Sequence, residues 1–194
     1  MMDKYSNYAE LEAHEREGID FEVVVAEQKK SLAAIIAPHA GIEPKTGLIA
    51  RSIARTDYSF YCFRGLKSKG NQTLQIASHR FDEPRCLKLI ANHKRVISIH
   101  GCDAKGERIF LGGLDNSLIE ILLSELSHAG IIVEPSESKY TGMHPENICN
   151  RGQTKKGVQF ELSFQFRIGN QALLLVKAVR RVLQGLNTTD KLSI

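Results

Sequence analysis

The feature that most constrains the fold is a continuous apolar run at residues 31–39, SLAAIIAPH. A strand with one solvated face alternates polar and apolar side chains, and this run does not alternate. Uninterrupted apolar strands are typical of the middle of a sheet that helices cover on both faces. The run therefore predicts a buried central strand with His39 at its carboxyl end.

The rest of the chain alternates strand-like and helix-like segments. Strand patterns occur at FEVVVAEQ, YSFYCF, LQIAS, RVISIHG, IIVEP and VQFELSFQF, and helix patterns at YAELEAHE, at the segment that begins with Pro44, and at EPRCLKLIANH, LDNSLIEILLSELSHAG and NQALLLVKAVRRVLQGL. This alternation predicts an α/β fold with a mixed, mainly parallel central sheet flanked by helices. Because no linker or repeat divides the sequence, we expect residues 1–194 to form a single domain.

Composition excludes several classes of protein. The chain is 42% hydrophobic and 25% charged, the balance of a globular protein, and no stretch approaches the ~20 apolar residues of a membrane span. Its polar, acidic beginning lacks the basic and apolar parts of a signal peptide. We therefore expect no membrane partner and a protein that is cytoplasmic when made.

Length, cysteine spacing and charge narrow the possibilities further. A chain of 194 residues can bury a full core without disulfides or structural metals, so a bound metal would serve chemistry. The four cysteines form no C-x-x-C pair, which argues against a zinc ribbon. The net charge of +4 suits an acidic ligand but falls short of the clustered basic face of a nucleic-acid binder.

Histidines follow three of the predicted strands. The runs AAIIAP, LQIAS and RVISI are succeeded by His39, His79 and His100. Ligands of open α/β sheets bind beyond the carboxyl ends of the strands, so these imidazoles are candidates for a functional site.

Two of these histidines and a nearby carboxylate suggest a metal site. Pro44 disfavours helical geometry at Glu43, so that this carboxylate must project from a turn, and Gly41 gives the chain the freedom to make one. His39, Glu43 and His100 would then form the two-histidine, one-carboxylate set of catalytic zinc hydrolases, with a fourth position open for water. The alternative is two histidines bonded to backbone and a carboxylate at a helix start.

Glu161 is the candidate general base. A metal-activated water needs a proton acceptor on a rigid element nearby, and GVQFELSFQF offers one on a strand. Alternation places one set of side chains on each face, Val158, Phe160, Leu162 and Phe164 on one and Gln159, Glu161, Ser163 and Gln165 on the other. An edge strand with a solvated polar face would show the same pattern.

Four further side chains are candidates for substrate binding. Asn150 and Arg151 precede the strand of Glu161, and an arginine can hold a carboxylate with two parallel hydrogen bonds. Arg64 could line an anionic groove or belong to a polar hairpin. His79 could donate a hydrogen bond to the transition state, replace Glu43 as a ligand, or be structural. Solvated loop residues are the ordinary alternative for Asn150 and Arg151.

Several blocks taken in order resemble the phage-derived poly-γ-glutamate hydrolase family: APHAGIEPKTGLIARSIA, YSFYCFRGLK, LQIASHRFDEP, ISIHGC, IFLGGLD, PENICNRG and GVQFELSFQFR. The similarity runs from about residue 33 to about residue 167. It implies a single catalytic domain with a core similar to zinc carboxypeptidases, one zinc ion per chain and an anionic polymer, poly-γ-glutamate, as substrate.

The resemblance also implies roles for individual residues. His39, Glu43 and His100 would bind zinc, Glu161 would be the general base, and Arg151 with the FRGLK segment would face substrate carboxylates. We expect a monomer that is released when the host cell lyses. Two other functions stay open: a phage replication protein that binds nucleic acid, and a zinc amidase that acts on another γ-glutamyl or cell-wall substrate.

Overall fold

The computed structural model describes residues 3–136 and 139–192, with side chains described to residue 187. The strands are β1 (Phe21–Ala26), β2 (Ala33–Ala40), β3 (Ser59–Gly65), β4 (Arg95–Cys102), β5 (Ile109–Gly113) and β6 (Val158–Ser163). The helices are α1 (Tyr8–Glu12), α2 (Thr46–Ala54), α3 (Pro84–Ala91), α4 (Asn116–His128), α5 (Phe164–Ile168) and α6 (Gln171–Leu192), with 3₁₀ helices at Asn71–Leu74 and Ile148–Arg151.

The six strands form one sheet in the order β1-β3-β2-β4-β6-β5. The four inner strands run parallel to one another, and the edge strands β1 and β5 pair antiparallel with β3 and β6. The predicted α/β class, with a mixed and mainly parallel sheet flanked by helices, is confirmed. In the part of the chain that the structure describes, no helix is long and apolar enough to cross a membrane.

The apolar run at residues 33–40 forms the central strand β2, and all eight of its residues are buried. Its side chains alternate between two cores. Ile35 packs in a core formed with α2, α4 and α6, whereas Ile36 packs in a second core formed with α1 and α3. Full burial of such a side chain contributes about 1.5–3 kcal/mol, so both faces of the sheet favour this arrangement.

Two predicted strands are wrong. Leu74, the first residue of LQIAS, is the last residue of a 3₁₀ helix, and the other four residues form a loop. In this loop the Ile76 carbonyl accepts a hydrogen bond from His39, and the Ala77 N–H donates one to Asp3. Side chains thus take the hydrogen bonds that a neighbouring strand would have used. IIVEP contributes a single bridge, between Glu134 and Phe110, because it meets β5 at one residue only.

Two element boundaries also differ from the prediction. The strand in VQFELSFQF ends at Ser163, whose hydroxyl accepts a hydrogen bond from the Phe166 N–H and starts α5. Phe164 is therefore 47% exposed and does not share the apolar face of β6. Pro44 precedes α2 without being its first residue, because Lys45 takes a left-handed conformation, with φ 75°, before the helix begins at Thr46.

A buried carboxylate, Glu15, links the amino-terminal segment to the loop that follows β3. The Glu15 side chain accepts hydrogen bonds from the Tyr5 hydroxyl at 2.6 Å and the Lys4 ammonium at 3.3 Å, and it pairs with Lys67 at 2.5 Å. Burial alone would raise the pKa of Glu15, but Lys67 and Tyr5 outweigh it and lower the pKa to about 2. Because Asp3 of the same segment holds the Ala77 N–H, this anchor also supports the loop after Leu74.

We expect the variant Glu15→Gln to lower the free energy of unfolding by about 2 kcal/mol at pH 7, the order of a buried hydrogen bond to a charged group. A carboxylate with a depressed folded-state pKa stabilises above its unfolded pKa and loses that stabilisation as the pH falls toward 2. Urea unfolding of wild type and variant between pH 7 and pH 2.5 should show their difference shrinking below about pH 4.5. The exposed Glu12→Gln is the control, and an equal effect of both variants would contradict this role.

Candidate metal centre and its cleft

Three side chains meet in a cleft at the carboxyl ends of the inner strands. His39 lies at the end of β2, His100 near the end of β4, and Glu161 on β6. His100 and Glu161 are register partners in adjacent parallel strands, so their side chains leave the same face of the sheet. The cleft that all three line has a volume of about 710 Å³.

His39, Glu43 and His100 form a compact cluster of possible metal ligands. One ligand atom from each lies within 4.8 Å of the others. The Nδ1 atoms of the two imidazoles are 3.2 Å apart, His39 Nδ1 is 3.3 Å from Glu43 Oε1, and His100 Nδ1 is 3.9 Å from Glu43 Oε2. The structure places His79 outside this cluster, on the exposed rim.

A tight turn delivers Glu43 to the cluster. The N–H groups of Ile42 and Glu43 both donate to the His39 carbonyl, and Gly41 takes a left-handed conformation with φ 80°. A Cβ at Gly41 would collide with the backbone of Gly65, so glycine is required there by space as well as by conformation. Glu43 therefore projects from a turn, as the sequence suggested, and the Gly101 N–H donates to its Oε2 at 2.7 Å.

Hydrogen bonds and burial prepare both imidazoles for metal binding. His39 Nε2 lies 2.8 Å from the Ile76 carbonyl, so Nε2 carries the proton and Nδ1 keeps its lone pair. Burial lowers the pKa of His100 to about 4, which keeps that ring neutral. Burial would also lower the pKa of His39, but the Glu43 carboxylate outweighs it and raises the pKa, so Glu43 favours a positive charge at this position and a metal ion must compete there with a proton.

The donor set fits a tetrahedral transition-metal ion. Ligands at ~2.0–2.2 Å from a tetrahedral zinc are about 3.3 Å apart, close to two of the three separations observed here. His100 Nε2, the ring nitrogen that these separations do not involve, has no hydrogen-bond partner among the described residues. A cation between His39 Nδ1, His100 Nδ1 and the Glu43 carboxylate would relieve the repulsion of their lone pairs.

Polar side chains hold Glu161 beside the cluster. Asn147 donates to Gln159 at 2.9 Å, and Gln159 donates to Glu161 Oε1 at 3.0 Å. Burial, reinforced by the charge of Glu43, raises the pKa of Glu161 well above its usual range, and the charge of Arg167 opposes this rise. The sequence analysis missed Gln159, although its position two residues before Glu161 on the same strand face was a usable signal.

Arg167 is a second residue that the sequence analysis missed. It lies on α5, is 7% exposed and lines the cleft. Its Nη1 donates to the Pro44 carbonyl at 2.7 Å and its Nε to the Ser163 carbonyl at 3.3 Å. No local signal marks it, because its position depends on β6 ending at Ser163.

Of the four side chains predicted to bind substrate, the structure places only His79 in the lining of the cleft. Asn150 is buried and bonds to the backbone of Gly142, His144, Leu114 and Gly157, so that it supports the loop beside the cleft.

The two predicted arginines lie apart from the cleft lining. Arg151 donates to the Phe81 carbonyl at 3.2 Å and lies 3.9 Å from Glu146. Arg64 pairs with Glu22 at 2.6 Å and lines a separate cavity beside α2.

Fold and site together define an α/β protein with a candidate His-Glu-His metal centre in a cleft at one edge of its sheet. A profile described as poly-gamma-glutamate hydrolase matches residues 5–174. The chain belongs to the poly-gamma-glutamate hydrolase family.

Relatives support this assignment. The chain is 38% identical over 167 residues to the UPF0714 protein YndL of Bacillus subtilis (strain 168). The aligned region covers 85% of this chain and 66% of YndL. A bacteriophage poly-gamma-glutamate hydrolase structure matches 97% of this chain and 100% of its own, with a TM-score of 0.90 and 28% identity. A YndL structure described as zinc-free matches 94% of this chain and 98% of its own chain, with a TM-score of 0.84 and 33% identity.

We expect the purified protein to bind about one divalent transition-metal ion per chain. His39→Ala or His100→Ala removes one of three ligands and should reduce the bound metal to a small fraction, measured by elemental analysis after dialysis. His79→Ala is the matched control, since that imidazole lies outside the cluster, and it should keep the metal. Loss of metal from the His79 variant with retention in a Glu43→Gln variant would instead make His79 the third ligand.

Proposed function

We propose that this chain is a zinc-dependent hydrolase that cleaves the γ-glutamyl amide bonds of poly-γ-glutamate. The observation that carries the proposal is the cluster of His39, Glu43 and His100 with the Glu161 carboxylate on the neighbouring strand. Similarity to the bacteriophage hydrolase over that whole chain supports the substrate, and the zinc-free YndL structure supports the metal. Membership of the poly-gamma-glutamate hydrolase family supports both the substrate and hydrolysis as the class of reaction.

In the proposed mechanism, His39, Glu43 and His100 would hold zinc, which when bound supplies Lewis-acid activation of water and of the scissile carbonyl. Glu161 accepts a proton from the attacking water and then donates it to the leaving amine. Gln159 holds one Glu161 oxygen and leaves the other free to face the cleft. Burial makes this carboxylate a stronger base, because the charged form loses hydration.

Other expectations remain part of the proposal. We propose that the chain acts as a monomer without a nucleic-acid partner, made in the cytoplasm and released at lysis. The small net charge of +4 supports the absence of a nucleic-acid partner. A salt titration of DNA binding would test it, because a nucleic-acid binder loses affinity steeply as salt rises.

Glu161→Gln separates the base from the ligands. It preserves the side chain's shape and all three proposed ligands, so we expect one bound zinc and a turnover lowered by about 10²–10⁴-fold, the usual worth of a general base. Glu120→Gln, an exposed carboxylate on α4, should leave zinc and rate unchanged. If Glu161→Gln loses its zinc, Glu161 is a ligand; if it retains full rate, the base has been misassigned.

Chelation and substrate choice test the reaction itself. Removal of zinc should abolish hydrolysis of poly-γ-glutamate and restoration of zinc should recover it, while far-UV circular dichroism stays constant because two large apolar cores hold the sheet and helices together. Digesting poly-γ-glutamate beside a γ-glutamyl cell-wall peptide identifies the preferred substrate. Full activity in metal-free protein would contradict the mechanism.

A further inference from the structure

A buried cation in the cleft forms no ion pair among the described residues. Arg167 is 7% exposed, yet its guanidinium pairs with no carboxylate among the described residues, and its hydrogen bonds to protein go to two backbone carbonyls. Burying an unpaired charge is costly, and proteins ordinarily compensate it with an opposite charge. The carboxylates of Glu43 and Glu161 act on its charge across the cleft without forming an ion pair with it, so the exposed edge of the guanidinium is left for a group that does not belong to the described residues.

Hydrogen bonds to the backbone hold the Arg167 guanidinium beside the candidate metal centre. Its nitrogens bond to the carbonyls of Pro44, which follows Glu43, and of Ser163, two residues after Glu161. A Cβ built on Gly101, the residue after His100, would lie 2.5 Å from Arg167 Nη1, so the glycine leaves room for the guanidinium. Residues close in sequence to two ligands and to the base thus fix its position.

The seated guanidinium retains free donors. Arginine has five N–H groups, and the described hydrogen bonds use one on Nε and one on Nη1. Nη2 and the second N–H of Nη1 remain, and together they form the two-pronged edge that binds a carboxylate with parallel hydrogen bonds. Since Arg167 lines the cleft, this edge is available to a bound ligand.

We propose that Arg167 binds the α-carboxylate on the carbon that carries the leaving nitrogen of the substrate, and thereby selects γ-linked over α-linked glutamate. The inference rests on the proposed function and names what that site recognises. In a γ-linked chain every such carbon bears a free carboxylate. In an α-linked chain the same carbon bears the next amide carbonyl, except at the last residue, so the guanidinium would face a neutral group.

The α-carboxylate of a bound substrate would lie near both Glu161 and Arg167. Glu161 must lie close to the leaving nitrogen to protonate it, and the α-carboxylate is attached to the carbon bonded to that nitrogen. Arg167 and Glu161 both line the same cleft of about 710 Å³. One substrate can therefore contact both residues.

The test pairs a change in the protein with a change in the substrate. Two γ-linked glutamate oligomers are compared, one with the α-carboxylate beside the scissile amide intact and one with that group converted to a primary amide. The zinc-loaded wild type should prefer the acid by about 10- to 100-fold in kcat/KM, mostly through KM, the range of a hydrogen bond to a charged group. Arg167→Met should bring the ratio close to one, and Arg167→Lys, which keeps the charge but not the two-pronged edge, should retain part of it.

Arg151→Met is the matched control, because Arg151 lies outside the cleft lining, and it should keep the full preference. Three results would overturn the proposal: no acid preference in wild type, an Arg167→Met variant that slows on both oligomers while keeping the preference, or loss of the preference in Arg151→Met instead. If Arg167→Met does not fold, the Arg167→Lys variant decides, and an undiminished acid preference in that variant also overturns the proposal.

A binding measurement separates this proposal from the proposed function. Calorimetry with zinc-loaded Glu161→Gln requires no turnover, and it should show tighter binding of the acid than of the amide, with the difference lost when Arg167→Met is added. If wild type cleaves neither oligomer but the binding difference is present, the reaction is misassigned and the carboxylate site stands. Equal binding of both oligomers overturns the carboxylate site even if hydrolysis is observed.

Discussion

The burial of β2 on both faces is the constraint on which the rest of the structure depends. All eight of its residues are buried, so helices must cover the sheet above and below, and the two cores that result share this strand. The cleft opens at the carboxyl end of this strand, where the chain turns at Gly41. That geometry places His39 at the boundary between core and cleft, where an imidazole can be both held rigidly and reached by a ligand.

Rigidity at this boundary comes from backbone groups. The Ile76 carbonyl fixes the tautomer of His39, the Gly101 N–H fixes Glu43, and the Pro44 carbonyl fixes Arg167. Each contact joins a site residue to a segment distant in sequence. Because the dipoles are already oriented before a substrate arrives, little reorganisation remains for the reaction itself. The anchored amino terminus contributes through Asp3, which bonds to the residue after Ile76.

The sequence predicted those parts of the fold that depend on local pattern. The uninterrupted run of β2 and the long periodic helix α4 were recognisable because burial imposes a repeat on their side chains. LQIAS has the composition of a strand, and only the distant side chains of His39 and Asp3 divert its backbone into a loop. Arg167 was out of reach for a similar reason, since the hydroxyl of Ser163 decides that β6 ends and a helix begins.

The balance of buried charge explains why these residues occur together. Glu43 and Glu161 are two carboxylates near one guanidinium, Arg167; burial and, after it, the charge of Glu43 raise the pKa of Glu161, and Arg167 opposes this rise. Without a further cation, burial and the charge of Glu43 favour the protonated form of Glu161, which cannot act as a base. A divalent ion held by His39, Glu43 and His100 would favour the ionised form of Glu161 and would add positive charge to the cleft. The same ion that activates water would therefore also make the cleft attractive to a polyanion, so substrate binding and catalytic competence would depend on one event.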